Sequence, residues 1–277
     1  APSLFPGLPQ AMLRRVVEGA LTFPIPLIEV EPSRFVLELF HGPTHAFKDV
    51  GARFMAALMS ELDEDGPSCR TILVATSGDT GGAVADAFHG MKGYRVVVLF
   101  PRHGVSERQR RQMTTLGDNV YALSVQGSFD DCQRLAKSAF LDEELSVAHS
   151  LTSANSINVA RLLPQALYYV HAACEVQKRR GGNENPPRFV VPSGNLGNLC
   201  AGLFAQRVGV ANSGFIAAAN ANRGFVDFLA GTDHRSHPSV RTISNAMDVG
   251  SPSNLERILW LYDGDTEALR RDVQGVS

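Results

Sequence analysis

Lys48 stands in a setting where lysine is uncommon. It lies in the run HGPTHAFKDVG (His41 to Gly51), after a Gly-Pro turn and an aromatic residue and directly before a predicted helix start. Ala46 and Phe47 lead in, Val50 follows, and Ala52, Phe54, Met55, Ala57, Leu58 and Met59 continue an apolar helix. Burial disfavours an ammonium, so a lysine held there is pushed toward its neutral, nucleophilic form. That form can condense with a carbonyl as a Schiff-base lysine. The plainer alternative is a lysine whose stem packs on protein while its head reaches water.

Three further motifs bear on that choice. SGDTGG (Ser77 to Gly82) falls between a predicted strand and a predicted helix, where outward backbone N–H groups and the helix dipole make an anion site. With hydroxyls from Ser77 and Thr80 it suits a substrate carboxylate, or it is an ordinary tight turn. SGNLGN (Ser193 to Asn198) repeats the strand-to-helix setting, with Gly194 and Gly197 allowing close backbone approach and Ser193, Asn195 and Asn198 supplying donors. It matches neither the dinucleotide nor the P-loop pattern, and a monoester phosphate is its natural occupant. SANSINVAR (Ser153 to Arg161) gathers Asn155, Ser156 and Arg161 at a helix start, either as a second phosphate site or as a well-capped helix with a surface arginine. One special lysine, one carboxylate-type loop and two phosphate-type loops suit an aldehyde cofactor that carries its own phosphate. Pyridoxal phosphate fits that description, acting as an electron sink for carbanions next to an amine. The substrate implied is an amino acid with a phosphate leaving group.

The elements that must position these residues follow from periodicity. Strand-like runs at Ile72–Ala75, Arg95–Phe100 and Val120–Val125 alternate with helical stretches at Gly82–Gly90, Ser106–Leu116 and Phe129–Leu141. This predicts βαβ units with right-handed crossovers and a parallel sheet. Beyond Ser153 one long helix from Ser156 to about Arg179 is expected, then a strand at Phe189–Val191, a helix at Leu199–Val208 and a strand at Phe215–Ala219. The fold class is therefore α/β with two parallel-sheet domains. Residues 50–150 form the smaller, carrying the SGDTG loop, and residues 1–49 with 151–277 form part of the larger.

Of the 277 residues, 44% are apolar and 19% charged, and the formal net charge is −2, so no net field favours nucleic acid or an anionic membrane. No apolar run approaches the roughly 20 residues needed to cross a bilayer, and the start APSLFPGLPQ does not read as a signal peptide. Cys69, Cys132, Cys174 and Cys200 form no C-x-x-C pair and read as small apolar residues in a reducing compartment, the cytoplasm by default.

HGPTHAFKDVGARFM, ATSGDTGGAVADAF, SFDDCQ, TSANSINVAR, PSGNLGN and SNAMDVGSPSN (Ser244 to Asn254) together resemble the bacterial and fungal threonine synthases. These are fold type II pyridoxal-phosphate enzymes with a tryptophan-synthase-β-like fold and the cofactor at the domain junction. The resemblance covers roughly Leu13 to Asn254. It implies a carbon–oxygen lyase acting on phosphates, converting O-phospho-L-homoserine and water to L-threonine and phosphate with pyridoxal 5'-phosphate. On that likeness Lys48 is the Schiff-base lysine and proton shuttle, and Phe47 lies beside the cofactor. Ser193, Gly194, Asn195, Leu196, Gly197 and Asn198 hold the cofactor phosphate. Ser77, Gly78 and Gly81 take the substrate carboxylate, while Thr80, Asn155, Ser156 and Arg161 surround the substrate phosphate. Asp79 occupies a place near the cofactor's 3'-oxygen and is expected to be protonated or held aside by other donors.

The chain also departs from the family. It reads as truncated, with no Gly-Thr-Ala-His-Pro-like segment to partner the pyridine nitrogen and no aspartate after Asn222. The same motifs would serve a phospholyase that releases a 2-oxo acid, and a catalytically silent binding module is the reading from a different class. Oligomeric state is left open.

Overall fold

The computed structural model describes residues 4–63, 69–76, 78–156, 158–181, 185–232 and 238–277. The chain divides into two compact units, Ala1–Arg161 and Leu162–Ser277. In the first, helix α1 (Gln10–Ala20) precedes the antiparallel hairpin β1 (Leu27–Glu31) and β2 (Arg34–Leu37), and α2 (Lys48–Leu62) follows. Then come β3 (Arg70–Ala75), α3 (Asp79–Phe88), β4 (Tyr94–Pro101), α4 (Glu107–Thr114), β5 (Val120–Val125), α5 (Phe129–Leu141), α6 (Glu143–Ala148), β6 (Leu151–Ser153) and α7 (Val159–Leu162).

The four-stranded sheet of this unit has the order β5-β4-β3-β6, and its pairings are all parallel. Both faces are covered, in keeping with the apolar runs Ile72–Ala75 and Val96–Pro101 of its central strands. Ile72, Val74, Val96 and Val98 cluster with Ala52 and Met55 of α2, Val84 and Phe88 of α3, and Met113 of α4. Leu73, Ala75 and Leu99, pointing the other way, cluster with Cys132 and Ala136 of α5. Two capping boxes, Ser106 with Gln109 and Ser128 with Asp131, fix where α4 and α5 begin.

The second unit runs α8 (Ala166–Arg179), β7 (Phe189–Pro192), α9 (Gly197–Arg207), β8 (Phe215–Ala218), α10 (Gly224–Leu229), α11 (Leu255–Leu261), α12 (Thr266–Asp272) and β9 (Val273–Val276). Its parallel sheet has the order β7-β8-β9. Phe189 stacks on Phe215 with ring centroids 5.8 Å apart, and Tyr169 of α8 meets Phe189 edge-on at 5.0 Å.

Two expectations are corrected. The single helix from Ser156 to Arg179 is broken into α7, a 3-10 turn (Leu163–Gln165) and α8. Pro164 lies at the break; it donates no backbone hydrogen bond and its ring crowds the preceding turn. The division also differs from one that groups residues 1–49 with 151–277. Arg53 Nε donates to the Ala20 carbonyl at 2.8 Å, tying α1 to α2, and β6 pairs with β3 from Thr71–Leu151 to Leu73–Ser153. The hairpin, β6 and β9 were not expected; each is short, with weak alternation.

Gly51 marks the tightest approach in the first unit, because a Cβ there would run into the Arg161 carbonyl oxygen. Glycine-to-alanine changes inside helices ordinarily stabilise by up to about 1 kcal/mol. At this position the sign should reverse: Gly51→Ala is expected to destabilise by about 1–3 kcal/mol, read as a lower urea midpoint at constant slope.

Candidate active site

Lys48 is the first residue of α2, and its side chain is only 13% exposed. Its Nζ lies 4.5 Å from the centroid of the Phe47 ring and 3.7 Å from Asp79 Oδ2. Burial pushes the ammonium pKa below the ordinary lysine value; the Asp79 carboxylate opposes that push and the Arg161 guanidinium adds to it. The preceding loop is held by Asp49, which accepts from the Thr44 backbone N–H at 2.9 Å and from the Thr44 hydroxyl. Gln112 Nε2 donates to the Thr44 carbonyl at 2.9 Å. The approach to Lys48 is thereby fixed to both α2 and α4.

The turn between β3 and α3 is organised by Thr76, a buried residue that sequence reasoning missed. Its Oγ1 accepts from the N–H groups of Gly78 and Gly81, each at 2.9 Å, and donates to the Gly78 carbonyl at 3.0 Å. The N–H groups of Gly78 and Gly81 are thus engaged within the turn by its own hydroxyl. Gly78 has φ 152°, a conformation open to glycine, and a Cβ there would run into the Gln109 side chain. Ser77 lies outside the described residues. Asp79 opens α3, and its Oδ1 accepts from Gln109 Nε2 at 2.7 Å. The only sequence signal for Gln109 was the S-x-x-Q capping pattern.

Arg161 is 3% exposed, and burial pushes its pKa down to about 10, so it stays cationic at neutral pH. Its Nη1 donates to the Ala154 carbonyl at 2.6 Å, and its Nη2 lies 3.5 Å from the Thr80 hydroxyl. The structure thus brings Lys48, Asp79, Thr80 and Arg161 together within the first unit. Asn155 is committed differently: its Oδ1 accepts from the Ala75 N–H at 3.3 Å and its Nδ2 donates to the Ala75 carbonyl at 2.7 Å. It continues the β3–β6 pairing by one side-chain rung. Ser156 is half-buried in the turn that follows.

In the second unit, Ser193 to Asn198 join β7 to α9. The Ser193 hydroxyl donates to the Val191 carbonyl at 2.8 Å and Asn198 Nδ2 donates to the Pro192 carbonyl at 2.7 Å, so both side chains shape the turn itself. Leu196 adopts the left-handed conformation (φ 61°, ψ 8°) and is 1% exposed, while Gly197 begins the helix. Asn195 Oδ1 accepts from the Ser253 N–H at 2.7 Å. A Cβ on Gly194 would lie 2.8 Å from Met247 Cα.

The segment that carries Met247 and Ser253 is latched by Asp248, another residue not anticipated. Its Oδ1 accepts from Asn220 Nδ2 at 2.8 Å and from the Thr242 hydroxyl at 2.6 Å, and its Oδ2 accepts from the Thr242 N–H at 2.9 Å. Its signal was membership of the SNAMDVGSPSN run. Among the described residues no group of His, Cys, Asp and Glu could hold a metal, and no helix is long and apolar enough to cross a membrane.

The profile of the pyridoxal-phosphate dependent enzymes matches residues 23–272. The chain belongs to that family. It is 46% identical over 255 residues to the threonine synthases of Serratia marcescens and Escherichia coli K12, covering 92% of this chain and 58% of each relative. The crystal structure of Escherichia coli threonine synthase superposes with a TM-score of 0.88 at 44% identity, covering 97% of this chain and 61% of that one. A pyridoxal-phosphate-bound threonine synthase from Brucella melitensis gives 0.86 at 37%, covering 98% and 64%. The chain therefore spans about three fifths of the length of these relatives.

The residues present fit the family's cofactor. A buried amine suits an aldehyde, and the turn at the start of the 11-residue α9 places side-chain-free Gly194 and Gly197 at a helix N-terminus, where a phosphate would be cradled.

Two outcomes follow. Because the folded-state pKa of Lys48 lies below 10.5, its burial costs stability as pH falls below that value. Without added cofactor, Lys48→Met should therefore be more stable than the parent at pH 7, and the gain should close as pH approaches 10.5 in urea titrations. Thr76→Val removes the acceptor of the Gly78 N–H and one of the two acceptors of the Gly81 N–H, and should lose about 1–3 kcal/mol in the same assay, while Thr76→Ser should retain most of the stability.

Proposed function

We propose that this chain carries out threonine-synthase chemistry, converting O-phospho-L-homoserine and water to L-threonine and inorganic phosphate. The observation that carries this reading is the buried Lys48 facing Asp79 and Arg161, in a sequence 46% identical over 255 residues to threonine synthases. Pyridoxal phosphate would supply the electron sink that makes a hydrogen next to the substrate amine acidic. Lys48, whose ammonium form burial disfavours, takes the proton from the substrate α-carbon and moves protons at the β-carbon. Phe47 restricts the lysine to one side. Arg161 and Thr80 receive the leaving phosphate, Ser156 is assigned to the same group, and Asn155 holds that loop to β3. The C–O bond at the γ-carbon breaks and one from water forms at the β-carbon, with no net change of oxidation state.

The turn 77–81, shaped by Thr76, is assigned to the substrate carboxylate. The Ser193–Asn198 turn is assigned to the cofactor phosphate through backbone donors and the α9 dipole. A reducing, cytoplasmic setting is part of the proposal, supported by Cys69, Cys132, Cys174 and Cys200 all being free thiols.

Product analysis of the natural full-length protein with pyridoxal phosphate and O-phospho-L-homoserine tests the reading. Equal threonine and phosphate are expected, falling at least about a hundredfold in Lys48→Ala. Phosphate with 2-oxobutyrate would reassign the protein as a phospholyase, and no turnover would refute the proposal.

A further inference from the structure

Gln109 is placed where two jobs meet. Its side-chain oxygen accepts from the Ser106 N–H at 2.9 Å, closing the capping box of α4, and its side-chain nitrogen donates to Asp79 Oδ1 at 2.7 Å. Helix capping uses only the oxygen. The nitrogen is spent on a carboxylate that faces the lysine.

That carboxylate does not close on Lys48. Ion pairs that are also hydrogen bonds bring nitrogen and oxygen to about 2.7–2.9 Å, whereas Nζ and Oδ2 are 3.7 Å apart. Gln109 takes Oδ1, and its amide is packed so tightly on Gly78 that a Cβ there would collide with Nε2. Asp79 is thus restrained from the α4 side. The charged groups facing Lys48 are Asp79 from α3, Arg161 from α7 and Asp49 from its own helix. Asp49 is engaged by Thr44, so Asp79 is the carboxylate whose placement sets how strongly the ammonium is favoured.

We propose that Gln109 is a positioning residue for Lys48: by holding one oxygen of Asp79, it keeps the lysine–carboxylate pair long and the lysine available as a free amine. A distant helix cap thereby governs the reacting group without touching it. The inference rests on reading Lys48 as the reacting amine, but its test does not depend on turnover.

Gln109→Glu keeps the capping oxygen and exchanges only the donor for an acceptor. Gln109→Met removes both and guards against a Glu variant that fails to fold. The readout is trace acetylation of Lys48 with acetic anhydride across pH, in protein stripped of cofactor with hydroxylamine. It is quantified by peptide mass spectrometry against exposed Lys137. In both Gln109 variants the labelling midpoint of Lys48 should rise by about half a pH unit or more, since Asp79 turns to the ammonium or a second carboxylate joins it. Asp79→Asn should lower the midpoint.

An unchanged midpoint in a folded Gln109 variant, alongside a shift in Asp79→Asn, would overturn the proposal and leave Gln109 a helix cap. An unchanged midpoint in Asp79→Asn would overturn it as well. Both results are independent of whether threonine is formed.

Discussion

Withdrawing a lysine amine from water while leaving it beside a carboxylate is the constraint around which the first unit is arranged. Desolvation favours the neutral amine, a nearby anion favours the ammonium, and their difference decides what Lys48 can do. Because the Asp79 carboxylate opposes the larger effect of burial, its position bears directly on that balance. The scaffold sets the balance with groups that are themselves fixed: Gln109 by the start of α4, Thr76 by the end of β3, and Lys48 by its place at the start of α2.

The polar side chains around the candidate site are engaged chiefly by backbone. Asn155 pairs with both polar groups of Ala75, Thr76 takes two N–H groups of its own turn, and Asn198 bonds the Pro192 carbonyl. Such residues hold geometry, leaving Lys48, Arg161 and the Thr80 hydroxyl as the groups proposed to meet reactants. In the second unit the same division of labour separates the turn at Ser193–Asn198 from Asp248, which latches the segment packed on Gly194.

The parts of the fold with strong periodicity are legible in the residues alone. Val120–Val125 and Phe129–Leu141 lie where alternation and helical spacing put them, because β-branched runs and a Ser-x-x-Asp cap are local signals. Lys48 stands out because its neighbours are apolar, which is also local. What the sequence conceals is non-local. Gln109 and Asp79 are thirty residues apart, and Asp248 reads as one more polar residue until Asn220 and Thr242 fold onto it. Pro164 is visible, yet helical periodicity on either side of it outweighs the break.

The Asn155 rung also says something about assembly. Its partner, Ala75, lies 80 residues earlier in the chain. The turn holding Ser156 and the start of α7 is thereby tied to the edge of the sheet through β6 and its pairing with β3. Closing so long a loop carries an entropic cost that is repaid only when those contacts form. Arg161 and Thr80 are likewise 81 residues apart, so their meeting carries a cost of the same kind. The strand pairing at the sheet edge is thus what carries the arginine to a lysine and a carboxylate contributed by much earlier stretches of the chain.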